Sequence, residues 1–398
     1  MADTGCVGRY NRQSAPCSRG FSRATPEILR PHPNILIGVF TWCNRDELTR
    51  LFATMKAIIQ TGPRSVETQE REVPTPDADE LLIKVHSAGL CGSDAHAYKY
   101  DGGYEWIPIP RIMGHEYSGT VAEVGESVET FDVGDKVIEE PIHDCGHCFQ
   151  CKNGQPNVCQ NFSITGMHRD GAYTEYVTVA PEHVHAVPEG VPLRPAAITE
   201  PTSIATRAVL DQSVTTPGDN VLVEGPGPIG VLVAAVADSL GANVVVSGLG
   251  QDAAYRLPLL EDLGIDTVNL EEEGGLDERV ESQTDGIGFD VVFDATGHRS
   301  GVVSGNDVVR KGGQIVVVGI PNSPSELSLT STVRGEIDIN TSYGSTWTNF
   351  EQALRLMERG EIAVDKILDT SYSVDEPAEA FEAFLNSETC KPVFQFDG

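Results

Sequence analysis

Long apolar runs are missing from this chain. None reaches the roughly 18 residues that a membrane-spanning helix needs. The nearest, PHPNILIGVFTW around residue 40, is short and contains Pro and His. No membrane partner is expected. Basic residues are also few: 28 Lys and Arg stand against 59 Asp and Glu, a net charge of −31. Lysine is the scarcest of them, with eight in 398 residues. Such a surface repels nucleic acid and anionic bilayers, so neither is an expected partner. It suits a medium near molar salt, where screening acts over about 3 Å. Self-repulsion of this size is costly in dilute salt, so the expectation is a haloarchaeal-like protein of a salt-rich cytoplasm rather than an ordinary acidic one. Internal repeats and low-complexity segments are absent.

Cysteine is scarce too, nine in all, yet four of them crowd into HDCGHCFQCKNGQPNVC. The spacing Cys145-x2-Cys148-x2-Cys151-x7-Cys159 is a zinc spacing. Four thiolates at short range can wrap one tetrahedral ion and leave no open position, which makes a structural site. Disulfides would need an oxidising compartment, and no clear signal peptide opens the chain. The loop has no core of its own, and a metal would hold it together.

Residues 1–54 differ from the rest. They carry seven Arg, no Lys and only four Asp or Glu, with scattered Cys6, Cys17 and Cys43 and no periodic pattern. The expectation is a disordered extension or a start codon placed too early, with Met55 as the native start. From Met55 to about residue 200 short strands alternate with Gly, Pro and Asp. After that the period changes. NVLVEG, NVVVSG, TVNL, GFDVVFDATG and GGQIVVVGI read as buried strands with helical stretches between them, such as PIGVLVAAVADSLG and AAYRLPLLEDLG. That alternation gives βαβ units and a doubly wound parallel sheet of α/β class.

Gly225-Pro-Gly227-Pro228-Ile229-Gly230 matches G-x-G-x-x-G. It follows a strand and opens a helix, the context that separates a dinucleotide site from a plain tight turn. The glycines let backbone approach a pyrophosphate at a helix N-terminus. NAD sites place Asp or Glu about 20 residues further on, to hold the ribose 2′-OH. Here that place reads Ser247-Gly248-Leu249-Gly250, with no carboxylate. A 2′-phosphate would meet no repulsion, and Arg256 is a candidate to reach it unless it is a solvated helix residue. The balance favours NADP over NAD.

A second metal set is scattered. Cys91-Gly-Ser93-Asp94-Ala-His96 follows a strand, Gly114-His115-Glu116 comes about two dozen residues later, and Glu200-Pro201 precedes the dinucleotide region. A thiol, an imidazole and carboxylates beside a nicotinamide site suggest a catalytic zinc with an open position.

With CGSDAH, GHEYSGTVAEVG, the four-cysteine loop, GPGPIG and the late DATG, the chain from Met55 onward resembles the zinc-dependent medium-chain alcohol and polyol dehydrogenases. The resemblance implies a β-rich, GroES-like catalytic domain (55–203 and 341–398) around a Rossmann domain (204–340). It implies that Cys91 and His115 bind the catalytic zinc, with Glu200 at the third position, as in the sorbitol and threonine dehydrogenase branch. Glu116 is either a ligand or a neighbour exchanging with water. Two zinc ions per chain and NADP or NAD are the implied cofactors, and Thr296 of DATG joins the glycine turn in binding the dinucleotide. The implied reaction is oxidation of a secondary alcohol to a ketone, on a polyol or a butanediol-like substrate. L-threonine 3-dehydrogenase is the alternative; a non-catalytic dinucleotide-binding protein is a remote one. By similarity, Ser93 takes the alcohol proton and His96 passes it outward through the cofactor ribose, while Asp94 orients His115. Ser93 could equally be a helix N-cap and His96 a surface residue. Tyr98, Tyr104 and Trp106 are candidates to wall a substrate pocket, or simply to pack. Family members are commonly tetramers or dimers, so a homo-oligomer is expected.

Overall fold

The computed structural model describes residues 53–271, 276–368 and 370–396. The expectation of a disordered or mis-started N-terminal extension lies, from residue 1 to 52, outside the described residues.

The first half of the described residues holds β1 (Thr54–Gly62), β2 (Ser65–Glu72), β3 (Leu81–Gly89), β4 (Arg111–Ile112), β5 (Glu116–Val124), β6 (Lys136–Glu139), β7 (Ile142–His143), β8 (Ser163–Ile164), β9 (Tyr176–Val179) and β10 (Val184–Ala186). β1 and β2 form an antiparallel pair extended by β4. The larger sheet runs β10-β6-β5-β3, and β9 also pairs with β3. β3, LLIKVHSAG, is buried along nearly its whole length, and Lys84 is its one exposed side chain. A strand covered on both faces needs such a near-continuous apolar run.

The second half holds β11 (Asn220–Glu224), β12 (Asn243–Gly248), β13 (Asp266–Asn269), β14 (Phe289–Asp294), β15 (Val309–Val317) and β16 (Asp338–Thr341). All pair in parallel, in the order β13-β12-β11-β14-β15-β16. This is the strand order of the doubly wound dinucleotide fold. The order reverses between β11 and β14, and ligands bind in the crevice at that point. The helix Pro228–Ser239 packs on this sheet, and its residues from Gly230 to Ala237 are all buried. The stretch read as AAYRLPLLEDLG is helical only over Arg256–Asp262. Upstream, the Asp252 carboxylate accepts the Leu249 N–H and ties Gly250–Asp252 into a 3₁₀ turn.

β17 (Ser371–Tyr372) and β18 (Val393–Gln395) return to the first half, where β18 pairs antiparallel with β3. Tyr173, Phe381 and Phe394 pack edge-on and tilted around one another and fix that return. The helix Thr199–Leu210 runs across the expected boundary at 203/204, and Ser203 on it meets Ser345 at 2.7 Å between hydroxyls.

Candidate active site and metal centres

Cys91 ends the turn after β3 and caps the helix Gly92–Lys99. The Asp94 carboxylate, one turn in, accepts the Cys91 N–H at 3.1 Å. The buried Tyr173 hydroxyl donates to the same carboxylate at 2.8 Å. Gly114 brings the next strand in with φ of +92°, where a Cβ would strike the Tyr173 ring at 2.3 Å. His115 follows it and Glu116 opens β5. A sulfur, a ring nitrogen and a carboxylate oxygen from Cys91, His115 and Glu116 all lie within 4.8 Å of one another.

This trio fits a divalent metal. The buried Nδ1 of His115 has no hydrogen-bond partner, and such groups are rarely left so. Burial opposes a charge on His115, yet the negative groups of Asp94, Cys91 and Glu200 outweigh it and hold its pKa well above the ordinary value. A cation answers the same excess of negative charge. Asp94 stands 3.6 Å from His115 Nδ1, at ion-pair rather than hydrogen-bond distance. Ser93 Oγ lies 3.5 Å from His115 Nε2, at the edge of the site. Glu200 is not one of the close trio. It sits in the first turn of the helix Thr199–Leu210, where the dipole favours a carboxylate. Burial nevertheless raises its pKa to about 7, with the charge of Glu116 adding to the rise and His115 opposing it.

Sequence reasoning missed Lys391. Its ammonium is buried against the Glu116 carboxylate and donates to the Leu90 carbonyl at 3.0 Å. A Cβ at Gly89 would fall 2.6 Å from Glu116 Oε2, so the glycine leaves room for this pair. A lysine in the apolar string CKPVFQF, in a chain with so few lysines, was the available signal.

The aromatics divide. Tyr98 is 2% exposed, stacks on Phe381 and donates its hydroxyl to Glu382, so it packs in the core and does not wall a pocket. Tyr104 stacks on His96, and Trp106, half exposed, lies tilted against His168. Burial pushes the Tyr104 phenol up to about 12, and the nearby charge of Cys91 adds to it. Burial likewise raises the Tyr343 phenol, with Glu200 adding. Both phenols thus feel the charge of residues at the metal site.

In the four-cysteine loop the Sγ atoms of Cys145, Cys148, Cys151 and Cys159 also lie within 4.8 Å of one another. The measured separations are 3.3 Å for Cys148–Cys151, 3.8 Å for Cys148–Cys159 and 4.0 Å for Cys145–Cys151. A disulfide would bring two sulfurs to about 2.05 Å. A tetrahedron with Zn–S of about 2.3 Å puts them roughly 3.8 Å apart. Backbone N–H groups of Cys145 and Asn161 point at Cys159 Sγ, each at 3.3 Å. Hydrogen bonds from the backbone at Cys151 and Gln160 pull the Cys148 thiol down to about 6, while the Asp144 carboxylate pushes its neighbour Cys151 up. Thiolates are the form that binds metal.

At the crevice between β11 and β14, Gly225 has φ of +95° and a Cβ there would meet Thr296 Cα at 3.1 Å. Gly230 touches Gly225 so closely that a Cβ would sit 1.9 Å from its carbonyl oxygen. Gly227 caps the helix begun by Pro228 and Ile229 and faces open space. Thr296 is held by its N–H and hydroxyl on Asp294. At the ribose end, Ser247 is buried, and a Cβ on Gly248 would strike Leu257 at 2.8 Å and Pro226 at 3.1 Å. A side chain at 248 would therefore need Leu257 to shift. Arg256 does not take the place expected of it. Its guanidinium donates to the carbonyls of Phe384 and Thr389, lies over the Phe384 ring and pairs with Asp252 at 3.6 Å. Close to this turn lies Glu271, whose carboxylate is 2.5 Å from where a Gly250 Cβ would be.

A doubly wound sheet with a glycine turn, beside a thiol–imidazole–carboxylate trio, defines a zinc-dependent, dinucleotide-using oxidoreductase. Comparison with known proteins agrees. Residues 77–189 match the alcohol dehydrogenase GroES-like domain, and residues 228–359 match the zinc-binding dehydrogenase domain. A sorbitol dehydrogenase from Halalkalibacterium halodurans is 35% identical over 341 residues, covering 85% of this chain and 98% of that one. An L-threonine 3-dehydrogenase from Pyrococcus furiosus is 35% identical over 350 residues, with 85% and 98% covered. The crystal structure of 2R,3R-butanediol dehydrogenase from Bacillus subtilis superposes with a TM-score of 0.79 at 29% identity, covering 86% of this chain and all of that one. The chain belongs to the zinc-binding medium-chain dehydrogenase family, with a GroES-like domain and a Rossmann-type domain.

Proposed function

We propose that this protein oxidises a secondary alcohol of the polyol class, sorbitol-like or butanediol-like, to the ketone. The observation that carries the reading is the convergence of Cys91, His115 and Glu116, with Ser93 at its edge. Bound zinc would acidify a coordinated hydroxyl, and the nicotinamide of NAD(P) would accept the hydride. The chain's own residues do the rest. Cys91 and His115 would hold the metal, with Glu116 in the same close set and Glu200 a further carboxylate near it. Ser93 Oγ takes the proton of the substrate hydroxyl, and His96, one turn along the same helix, hands it towards solvent. Asp94 fixes the helix start and faces His115. Tyr104 and Tyr343 flank the substrate's approach. Gly225, Gly227 and Gly230 admit the pyrophosphate, and Thr296 borders it.

The similarity to an L-threonine 3-dehydrogenase supports a second substrate class, an amino acid carrying a secondary alcohol. One assay separates the two: sorbitol, butanediol, threonine and sugars, each with NAD and NADP, in high salt. Turnover of threonine alone would replace the polyol reading, and turnover of none would refute both. The acidic, Lys-poor surface supports a haloarchaeal-like, cytoplasmic setting. The exposed edge strand β16, with Ile339 and the outward Val333 and Leu329 beside it, supports a homo-oligomer.

A further inference from the structure

The helix Gly92–Lys99 ends in an abrupt reversal. Tyr100 adopts a left-handed conformation, φ 60° and ψ 46°, and the Asp101 N–H bonds back to the His96 carbonyl at 3.2 Å. This folds Asp101 onto the last turn of the helix. Its Oδ1 lies 3.0 Å from His96 Nδ1 and its Oδ2 lies 3.1 Å from Lys99 Nζ. Gly102 comes next with φ of +66°, and a Cβ there would fall 2.8 Å from His96 Nδ1. On its ring face His96 stacks with Tyr104, centroids 5.7 Å apart and planes within 8°. The imidazole is thus held along one edge, over one face and by close backbone. A surface histidine with no task would not require this.

We propose that Asp101 is a positioning residue for proton release: it fixes His96 with the proton on Nδ1, leaves Nε2 free to accept, and stabilises the imidazolium that results. The inference rests on the relay reading of Ser93 and His96. The chemistry balances without another reactant. Nε2 gains the proton coming from the buried hydroxyl, Nδ1–H stays on the Asp101 carboxylate, and the same proton then leaves Nε2 to water. The side chains of His96 and Asp101 are 39% and 48% exposed, so the pair stands where buried site and solvent meet. A carboxylate on the far nitrogen sets which nitrogen of a histidine can work. The end of the helix also favours the cationic form. The charged or titratable groups facing the ring are Asp101, with Lys99 behind it, and the Tyr104 phenol.

The test uses the full, zinc-loaded chain. The His96 ring is titrated by proton NMR, with H96Q identifying its resonance, and the pH profile of kcat/KM for alcohol oxidation is recorded in parallel. In D101N the His96 midpoint and the acid limb of the profile should both move to lower pH than in the parent. Zinc content and the melting midpoint should stay at parental values, and D101E should restore both midpoints. If H96Q slows oxidation while D101N leaves both midpoints in place, the role of Asp101 is overturned and the relay stands. If H96Q oxidises the substrate as the parent does at every pH, the relay itself fails, and this inference with it.

Discussion

Lys391 and Glu116 form a buried ion pair across 275 residues of sequence, each 1% exposed in its side chain. The pair ties the segment entering β18 to the start of β5, where Glu116 directly follows His115. Removing one partner of such a pair leaves an uncompensated buried charge, at a cost of about 3–5 kcal/mol. K391M should therefore lower the melting midpoint and the zinc content together. Adding E116Q should recover much of the melting loss, because the stranded charge is gone. A K391M protein that melts with the parent would show that the pair holds nothing.

Ser93 is set apart from the ligands by what it touches. Its hydroxyl lies near His115 Nε2, while the N-cap position of the helix is taken by Cys91. S93A should lower turnover by roughly 10² or more and leave zinc content unchanged. Parental turnover would remove Ser93 from the proton path.

Much of this was legible in the sequence where local pattern and tertiary role coincide. Runs such as VLV and VVV, each followed by a turn, read as buried parallel strands, and the five read this way came out in the doubly wound order, with β16 added at the edge. Cys91 and His115 were legible because each follows a strand in a short polar string. Lys391 was not, since its partner lies on another strand and a lone lysine in a strand usually snorkels to solvent. Asp101 was not, because its contact depends on a left-handed tyrosine, which sequence rarely announces. Tyr98 and Tyr104 share one string, yet the helix turns the first into the core and the chain reversal leaves the second beside His96. Arg256 looked free because its partners, the Phe384 and Thr389 carbonyls, are backbone groups far along the chain.

The four-cysteine loop should behave as a closed metal site. Zinc analysis of the intact chain should give about two ions. C148S should keep about one, melt earlier, and retain the Cys91–His115 ion, since the two sites share no residue. Loss of both ions would mean that the sites are not independent. No loss would mean that the loop holds no metal.

Arg256 should matter to folding more than to cofactor choice. Its guanidinium joins the helix Arg256–Asp262 to the Phe384 and Thr389 carbonyls. R256A should lower the melting midpoint and leave the ratio of KM values for NADP and NAD within about threefold, less than one charge-assisted hydrogen bond would change it. A tenfold rise in KM confined to NADP would restore the guanidinium as the phosphate partner.

Glu224 ends β11 directly beside Asp294 on β14, and both carboxyls are buried. Ser304 donates to one oxygen of Glu224, and the other has no partner. Burial raises its pKa from 4.5 to about 8, with Asp294 adding to the rise and Ser304 opposing it. The folded chain therefore keeps a proton on Glu224 that the unfolded chain gives up. Below about pH 4.5 both states hold it and the group costs nothing. Between about 4.5 and about 8 stability falls as pH rises, and above that the loss is complete. The full loss is on the order of a few kcal/mol. E224Q keeps the shape and the serine contact without the charge. It should leave stability at pH 5 nearly unchanged, raise it at pH 8.5, and flatten the curve between. Denaturant unfolding of both proteins across that range decides the matter: parallel curves would mean that Glu224 is ionised in the fold and already compensated.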